Sequence, residues 1–470
     1  MKDLNRRDFL KIFGSATIAS SAVLTACTNN NMHQTTATQQ EPPKDKMTMR
    51  TNHFSGDKVS ILGYGMMRLP VLQKNEDSDP DVIDQEMVNK EIDYAIEHGV
   101  NYYDTSPVYC QGMSEAATGI ALKRHQRDKF FVATKLSNFS PDTWSRKASQ
   151  DMFHDSMKYL QVDYIDYLLL HSIGGTGRTN DGKELDAFET FNVRYMDNGI
   201  LDWLVEQKKN GKIRNLGFSY HGDVQVFDML LKWHDEGRYR WDFVQIEINY
   251  LDWNYANEIN DRNTDAVYLY QELQKRQIPV IIMDPLLGGR LANVPDPIIA
   301  KMKTRRPENS VASWAFRFAG TPENVLCVLS GMTYMEHLRE NLCTYSPLIP
   351  ITKEENIFLM DIAKDIYDLK DIPCTGCEYC MPCPYGIDIP TIFAHYNKMI
   401  KDGTMPHNRE SEEFTKQRRA FLVGYDRSVP RLRQADHCIG CRQCTNHCPQ
   451  HINIPKEMQK IDNMVEDLKQ

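Results

Sequence analysis

The chain has 470 residues, which at roughly 150 residues per domain leaves room for one large enzymatic domain with attachments. Its 41% apolar, 10% aromatic and 25% charged residues are those of an ordinary globular protein, so wholesale disorder is excluded. Fifty-five basic against 64 acidic side chains give a net charge of -9 without a basic stripe, which excludes a nucleic-acid surface and points to a small-molecule partner.

The chain opens on a charged start (Lys2, Arg6, Arg7, Lys11), a Ser- and Thr-diluted apolar segment from Ile12 to Ala26, and Cys27. That segment is shorter than the roughly 18 apolar residues a bilayer crossing needs, so residues 1–27 read as an address and no transmembrane helix is predicted. Residues 28–51 are Thr-, Gln- and Asn-rich with Pro42-Pro43 and read as a flexible tether, the folded body starting near Asn52. From Val59, short apolar runs alternate with helical patterns: VSILGYGMMRL, VNYYD, KFFVATKL, DYIDYLLLH, IRNLGFS, DFVQIEINY, IPVIIMD and NVLCVLSG, with amphipathic stretches between them. Eight β/α units in about 290 residues have the length and rhythm of a closed (β/α)8 TIM barrel, placed over 52–350. No Gly-x-Gly-x-x-Gly turn follows the first strand, which disfavours a doubly wound open sheet. Residues 351–372 read as a charged helical connector and 373–470 as a second domain, with a charged, helical insert at 391–430.

Chemistry in such a barrel belongs at the C-terminal ends of the strands. Asp104 ends VNYYD, Tyr109 follows in the next loop, Lys135 ends KFFVATK and His171 ends DYIDYLLLH, so three successive strands deliver four ionisable side chains to one rim. A phenol with an ordinary pKa of about 10 is a poor acid near neutrality, and a neighbouring buried ammonium favours its ionised form. Lys135 is therefore expected to lower the Tyr109 pKa, Asp104 to hold Lys135, and His171 to orient a carbonyl while Tyr109 supplies the alcohol proton.

The pattern Asp104-Thr105-Ser106-x-x-Tyr109-x-x-Gly112-x-Ser114-Glu115, with Lys135 and His171, resembles the aldo-keto reductase superfamily from about 57 to 345. The resemblance implies a nicotinamide cofactor, NADP or NAD, and a small carbonyl or alcohol substrate. By position it implies ring-side contacts from Ser219, Gln245 and Asn249, and phosphate and adenosine contacts from Pro285, Leu286 and Gly288 and from Gly331, Thr333, Glu340 and Asn341. Two positions depart from the family pattern. Cys110 stands where Gly often follows the tyrosine, and Gly331 and His337 stand where many members carry a basic pair, which leaves NADPH against NADH open.

Eight of the 12 cysteines fall in two runs, Cys374, Cys377, Cys380 and Cys383-Pro384, then Cys438, Cys441, Cys444 and Cys448-Pro449. They closely follow bacterial two-cluster ferredoxins, which implies two [4Fe-4S] clusters; four thiols so close in sequence crowd a zinc site. The tails after each run, PYGIDIP and PQHINIP, repeat, so the domain reads as an internal duplication. The first run is one residue short before Cys383, which leaves the cluster that Cys383 serves open. His437, His447 and His451 flank the second run without being needed as ligands, and Cys27, Cys327 and Cys343 stand apart from both runs.

Asn5 to Lys11 also resembles a twin-arginine export signal, and Leu24 to Cys27 a lipoprotein cleavage box. Together these readings give an exported oxidoreductase of the periplasm or envelope, held to the membrane only through a lipid anchor. It moves a hydride between a nicotinamide and a carbonyl compound, with its clusters relaying electrons to a redox partner protein. The alternative is an electron-transfer protein that uses the barrel as a binding scaffold.

Overall fold

Every apolar run becomes a strand in the computed structural model, which describes residues 41–73, 82–260 and 263–470. The strands are β1 (Leu62–Gly65), β2 (Tyr102–Asp104), β3 (Phe131–Leu136), β4 (Ile165–Ile173), β5 (Ile213–Tyr220), β6 (Phe243–Glu247), β7 (Val280–Met283) and β8 (Val325–Ser330). All pair in parallel in chain order, and β8 closes on β1 through Val328 with Leu62 and Ser330 with Tyr64. Both faces of each strand are covered, which is why the runs read as continuously apolar rather than alternating. Tyr102, Ala133, Tyr167, Phe243, Ile281 and Leu326 fill the barrel interior. The outer faces meet a ring of helices, including α1 (Gln85–Glu97), α2 (Ser114–Leu122), α3 (Arg146–Leu160), α4 (Ile200–Lys209) and α5 (Val224–Asp235). Asp84 caps α1 through the Met87 amide and Ser145 caps α3 through the Ala148 amide, so the starts are written in the sequence.

The expected tether differs at its described end. Met49–Thr51 pairs antiparallel with Lys58–Ser60, and the Arg50 guanidinium donates to the carbonyls of Gly320, Pro322, Glu323 and Val325. A single arginine with five donors thus fixes a segment whose composition alone suggests no structure. The expected address and lipidation site, Arg6, Arg7 and Cys27 included, lie outside the described residues.

Past the barrel, α6 (Lys353–Tyr367) starts at a capping box between Thr352 and Glu355. Its Leu359, Ile362, Ala363 and Ile366 join the barrel's core, and Glu355 receives Arg317 at 2.8 Å, which with Arg306 pulls its carboxyl down to about 2. The connector is therefore built into the barrel. In the cysteine domain, α7 (Ile389–Lys401), α8 (Phe414–Ser428) and α9 (Ile454–Lys469) enclose a separate core including Ile392, Phe393, Phe421, Ile452 and Met458. The repeated tail is a helix-start signal: Asp388 caps α7 and Asn453 caps α9, each with proline in the first turn. Among the described residues no helix is long and apolar enough to cross a membrane.

Candidate functional site

Asp104 ends β2, Lys135 is the penultimate residue of β3, His171 lies near the end of β4, and Tyr109 sits in the loop after β2. Lys135 Nζ lies 2.5 Å from Asp104 Oδ1, 2.9 Å from the Thr105 carbonyl and 4.7 Å from the centre of the Tyr109 ring. The His171 ring meets that of Tyr109 edge-on at 6.0 Å, and its Nδ1 is 2.6 Å from the Ser137 hydroxyl. Arg194, itself buried, donates to the His171 carbonyl at 2.5 Å. The four residues expected from the sequence thus meet on the C-terminal rim, all nearly closed to solvent, with Tyr109 the most exposed at 8%.

Burial dominates their acid–base behaviour. It pushes the Asp104 carboxyl up and the Lys135 ammonium down, and their mutual contact pulls each back. It also pushes the Tyr109 phenol well above its ordinary range, with the Asp104 and Asp284 carboxylates adding to the rise. The expected lowering of Tyr109 by Lys135 is thus corrected to a net rise, because burial and the two carboxylates outweigh the ammonium. The ammonium lies over the ring face, with Asp104 and the Thr105 carbonyl as its hydrogen-bond partners. His171 is held neutral by burial and by the cations of Lys135 and Arg194. An imidazole that takes a hydroxyl at Nδ1 while neutral can present an N–H at Nε2.

The rim carries backbone strain. Cys110, Gln111, Ser172, Asp284 and Leu287, all following or ending barrel strands, have φ between 47° and 55°. At Cys110 the thiol donates to the Met66 and Met67 carbonyls, tying the tyrosine's loop to the loop after β1.

The residues implied for a nucleotide are placed unevenly. Gln245 Oε1 is buried without a protein partner, while Ser219 Oγ accepts from the Ser172 amide at 2.8 Å and Asn249 is folded onto Asp252 at 2.7 Å. Asn341 donates to Ser330 Oγ, Glu340 holds Ser310, and Thr333 donates to the Arg68 carbonyl. Pro285 is buried and Leu286 half-buried, Gly331 is exposed beside Arg68, and His337 is a solvated helix residue. Gly288 has φ of +63° and faces the cysteine domain: a Cβ there would lie 2.3 Å from the Thr375 carbonyl oxygen.

The eight clustered thiols sort into two sets that exchange their fourth members. Cys383 lines one apolar cavity with Cys438, Cys441 and Cys444, beside Ile387 and Ile439. Cys448 lies close enough to Cys374, Cys377 and Cys380 for their thiols to raise one another's pKa. The shortened spacing before Cys383 therefore leaves the crossed pairing intact. Backbone N–H groups point at the sulfurs: Gly376 at Cys374 (3.4 Å), Tyr379 at Cys377, and Gln450 and Ile452 at Cys448. Donors of this kind stabilise thiolates that bind metal, so the chain's residues fit iron–sulfur ligation. Among the described residues no three Cys, His, Asp or Glu side chains converge on a single-ion site, and the eight clustered cysteines form no disulfide.

Sequence reading did not anticipate how the cysteine domain meets the barrel. The Arg68 guanidinium, after β1, donates to the Thr375 and Gly376 carbonyls at 3.1 and 3.2 Å. Arg290 pairs with Asp371 at 2.7 Å, and the Gln450 amide donates to Glu247 at 3.1 Å. Asn260 donates to the Gln450 and His451 carbonyls. Tyr379, between Cys377 and Cys380, is brought near Tyr109 by the loop of Thr375 and Gly376, and burial together with the neighbouring Tyr109 pushes its phenol well above the ordinary range.

A closed parallel barrel with a buried Asp, Tyr, Lys and His on its C-terminal rim defines a class of oxidoreductase. The aldo/keto reductase family model matches residues 61–357, and the chain belongs to that family. A 4Fe-4S dicluster domain model matches residues 373–453. The uncharacterized oxidoreductase YqkF of Bacillus subtilis is 25% identical over 53% of this chain and 79% of its own length. L-galactose dehydrogenase of Arabidopsis thaliana is 23% identical over 64% and 89%. Protein tas of Escherichia coli is 28% identical over 34% of this chain, and the match spans about half of that relative, 49%. Among solved structures, an aldo-keto reductase of Klebsiella pneumoniae in complex with NADPH aligns over 68% of this chain and 95% of its own. Its TM-score is 0.50 at 20% identity, a likeness of fold.

Proposed function

We propose that the chain interconverts a small aldehyde or ketone with its alcohol, with Tyr109 as the proton donor. The observation that carries this reading is the buried Lys135–Asp104 pair beneath the Tyr109 ring, with neutral His171 on its edge. Gln245, whose buried Oε1 has no protein partner, suits a carboxamide, so Gln245, Ser219 and Asn249 would hold the ring end of NAD(P)H. When bound, the nicotinamide supplies the hydride. As hydride adds at the carbonyl carbon, the C=O electron pair takes the Tyr109 proton; the phenolate left behind is stabilised by Lys135, and His171 donates to the same oxygen. Lys135 is held as an ammonium in this dry setting by the Asp104 carboxylate and the Thr105 carbonyl, which accept its hydrogen bonds.

The two thiol sets would hold two [4Fe-4S] clusters, which supply one-electron exchange with a redox partner protein. The Arg6-Arg7 pattern supports export of the folded, loaded protein, and Cys27 a lipid anchor. A second reading, electron transfer with the barrel as scaffold, draws on the cover that Thr375 and Gly376 place over Arg68 and Gly288. One experiment separates the two. Anaerobically purified full-length protein is titrated with NADPH and NADH, then assayed with a panel of aldehydes and ketones. Nucleotide-dependent turnover that falls by about 10²-fold or more in Tyr109→Phe supports the first reading. A loss below tenfold removes Tyr109 from its role, and the absence of nucleotide binding favours the second.

A further inference from the structure

The two cysteine loops share one backbone. Gly376 and Gly440 have φ of +63° and +74°, and Glu378 and Arg442 have φ of +65° and +63°. What covers the two loops differs. In the first, Thr375 is only 7% exposed: its carbonyl and that of Gly376 accept from Arg68, and Gly288 packs against it. Ile439, at the matching place after the first cysteine of the second loop, is 64% exposed, and a Cβ on Gly440 would meet nothing within 4 Å. Further along, Glu378 and Tyr379 of the first loop are answered by Arg442 and Gln443, both exposed. The same backbone thus seats one loop on the barrel and leaves its copy open.

Ile439 and Arg442 border the apolar cavity of Cys383, Cys438, Cys441 and Cys444, as does the exposed ring of Tyr385. Among the described residues no carboxylate lines that cavity. Arg433 reaches the same edge, because its Nε donates to the Gly386 carbonyl at 3.4 Å and its own carbonyl accepts from the Asp388 amide at 3.0 Å. Next to it, Leu432 is 79% exposed, the most among the described large apolar side chains. Arg431 is paired with Asp436 at 2.8 Å, whereas among the described residues neither Arg433 nor Arg442 has a carboxylate partner. Two exposed aliphatic side chains flanked by two unpaired guanidiniums have the make-up of a protein contact, and the guanidiniums set the sign of its partner.

We propose that the second cysteine loop is the docking face for a separate electron-carrier protein that presents carboxylates around its own redox centre. The inference rests on the reading of the thiol sets as a one-electron relay and names where that relay meets its partner. With the first loop seated on the barrel, the thiols of the second are those a partner's centre can approach. Ile439 and Leu432 form the apolar part of the contact, and Arg433 and Arg442 steer and orient the carrier. One electron crosses per encounter, oxidising one centre and reducing the other, with no bond made or broken.

The test uses the full-length, anaerobically loaded protein, reduced with dithionite, and two probes of opposite sign. These are the soluble haem domain of cytochrome b5, whose haem edge is ringed by carboxylates, and cytochrome c, whose haem edge is ringed by lysines; each ferric haem takes one electron. Arg442→Glu installs the residue that the first loop carries on the same backbone, and Leu432→Ser changes a side chain that stands in solvent, so both are expected to keep wild-type iron and sulfide. In stopped flow at about 10 mM ionic strength, Arg442→Glu should slow reduction of cytochrome b5 roughly fivefold or more and speed that of cytochrome c, both effects shrinking below about twofold near 0.5 M. Leu432→Ser should raise the Kd for cytochrome b5 roughly 3- to 10-fold. Independently of electron transfer, oxidised cytochrome b5 should slow hydrogen exchange at 384–387 and 439–443 and leave 375–379 unchanged. Equal effects of Arg442→Glu on the two probes, or no protection of 439–443, overturns the proposal. Protection that appears on concentrating the protein alone assigns the face to a second copy, and protection by phosphatidylserine vesicles but not by cytochrome b5 assigns it to a membrane; either result overturns it too. Protection by cytochrome b5 without electron transfer upholds the docking face and refutes the relay in the proposed function instead.

Discussion

Gly288→Ala perturbs the joint between barrel and cysteine domain at its tightest point. The new Cβ would stand 2.3 Å from the Thr375 oxygen and 2.6 Å from its Cβ, and no rotamer relieves an overlap with backbone. Overpacking of this kind costs about 1–3 kcal/mol, and holding alanine at φ of +63° adds roughly 1–2 kcal/mol. Gly289→Ala provides the internal control: its φ is +100° but its Cβ would meet nothing within 4 Å, so it carries the backbone cost alone. Hydrogen exchange followed by mass spectrometry should show the 375–379 amides, two of which donate to cysteine sulfurs, exchanging at least tenfold faster in Gly288→Ala than in Gly289→Ala. Amides of α1 to α3, across the barrel, should not change. Equal protection of 375–379 in the two variants would mean that the loop does not rest on Gly288, and the reasoning about the joint would be wrong.

Further outcomes follow from the thiol sets, the rim carboxylates and the N-terminus. Anaerobic protein should hold about eight iron and eight sulfide, with Cys383→Ser and Cys441→Ser altering one paramagnetic signal and Cys448→Ser the other; stoichiometric zinc without sulfide refutes this. Burial and Glu247 raise Asp252 to about 7, and burial raises Asp284 to about 6. Because these folded-state values exceed those of unfolded aspartate, the stability they confer is full below about pH 4 and lost as pH rises through about 6 and 7. Asp252→Asn should therefore flatten the fall in Tm over that window and raise stability at about pH 8 by roughly 1–3 kcal/mol; a variant less stable there contradicts the assignment. Lys at positions 6 and 7 should strand the protein in the cytoplasm, and Cys27→Ala should free it from the membrane without blocking export; normal export of the double Lys variant refutes the twin-arginine reading.

The barrel was legible because its strands are buried on both faces and so appear as apolar runs, and because chain order is also spatial order in this topology. The quartet was legible because strand ends are fixed points of that topology. Its electrostatics were not: the sequence places Lys135 near Tyr109, but whether the ammonium meets the hydroxyl or the ring face depends on where Asp104 and the Thr105 carbonyl stand. The expected end of the tether failed for a similar reason, since Arg50 finds its four carbonyl partners more than 250 residues away. Tyr379 left one readable trace, its mismatch with Gln443 in an otherwise repeated loop. Spacing alone does not say that this mismatch faces the barrel mouth.

The two attachments of the cysteine domain differ in physical kind. Helix α6 is joined to the barrel by apolar packing and by a nearly buried carboxylate shared between Arg317 and Arg306, contacts whose loss exposes core. The loops over the rim are held by the Arg68 guanidinium on carbonyls, a Gln450 amide on Glu247 and the Arg290–Asp371 pair, each of which water can replace at modest cost. The first attachment keeps the cysteine domain beside the mouth, and the second sets how closely residues 375–379 rest on it. The surroundings of Tyr109 depend on the second, because Tyr379 arrives near it with that loop, so the setting of a residue fixed in the barrel is tied to the folding of the cysteine domain.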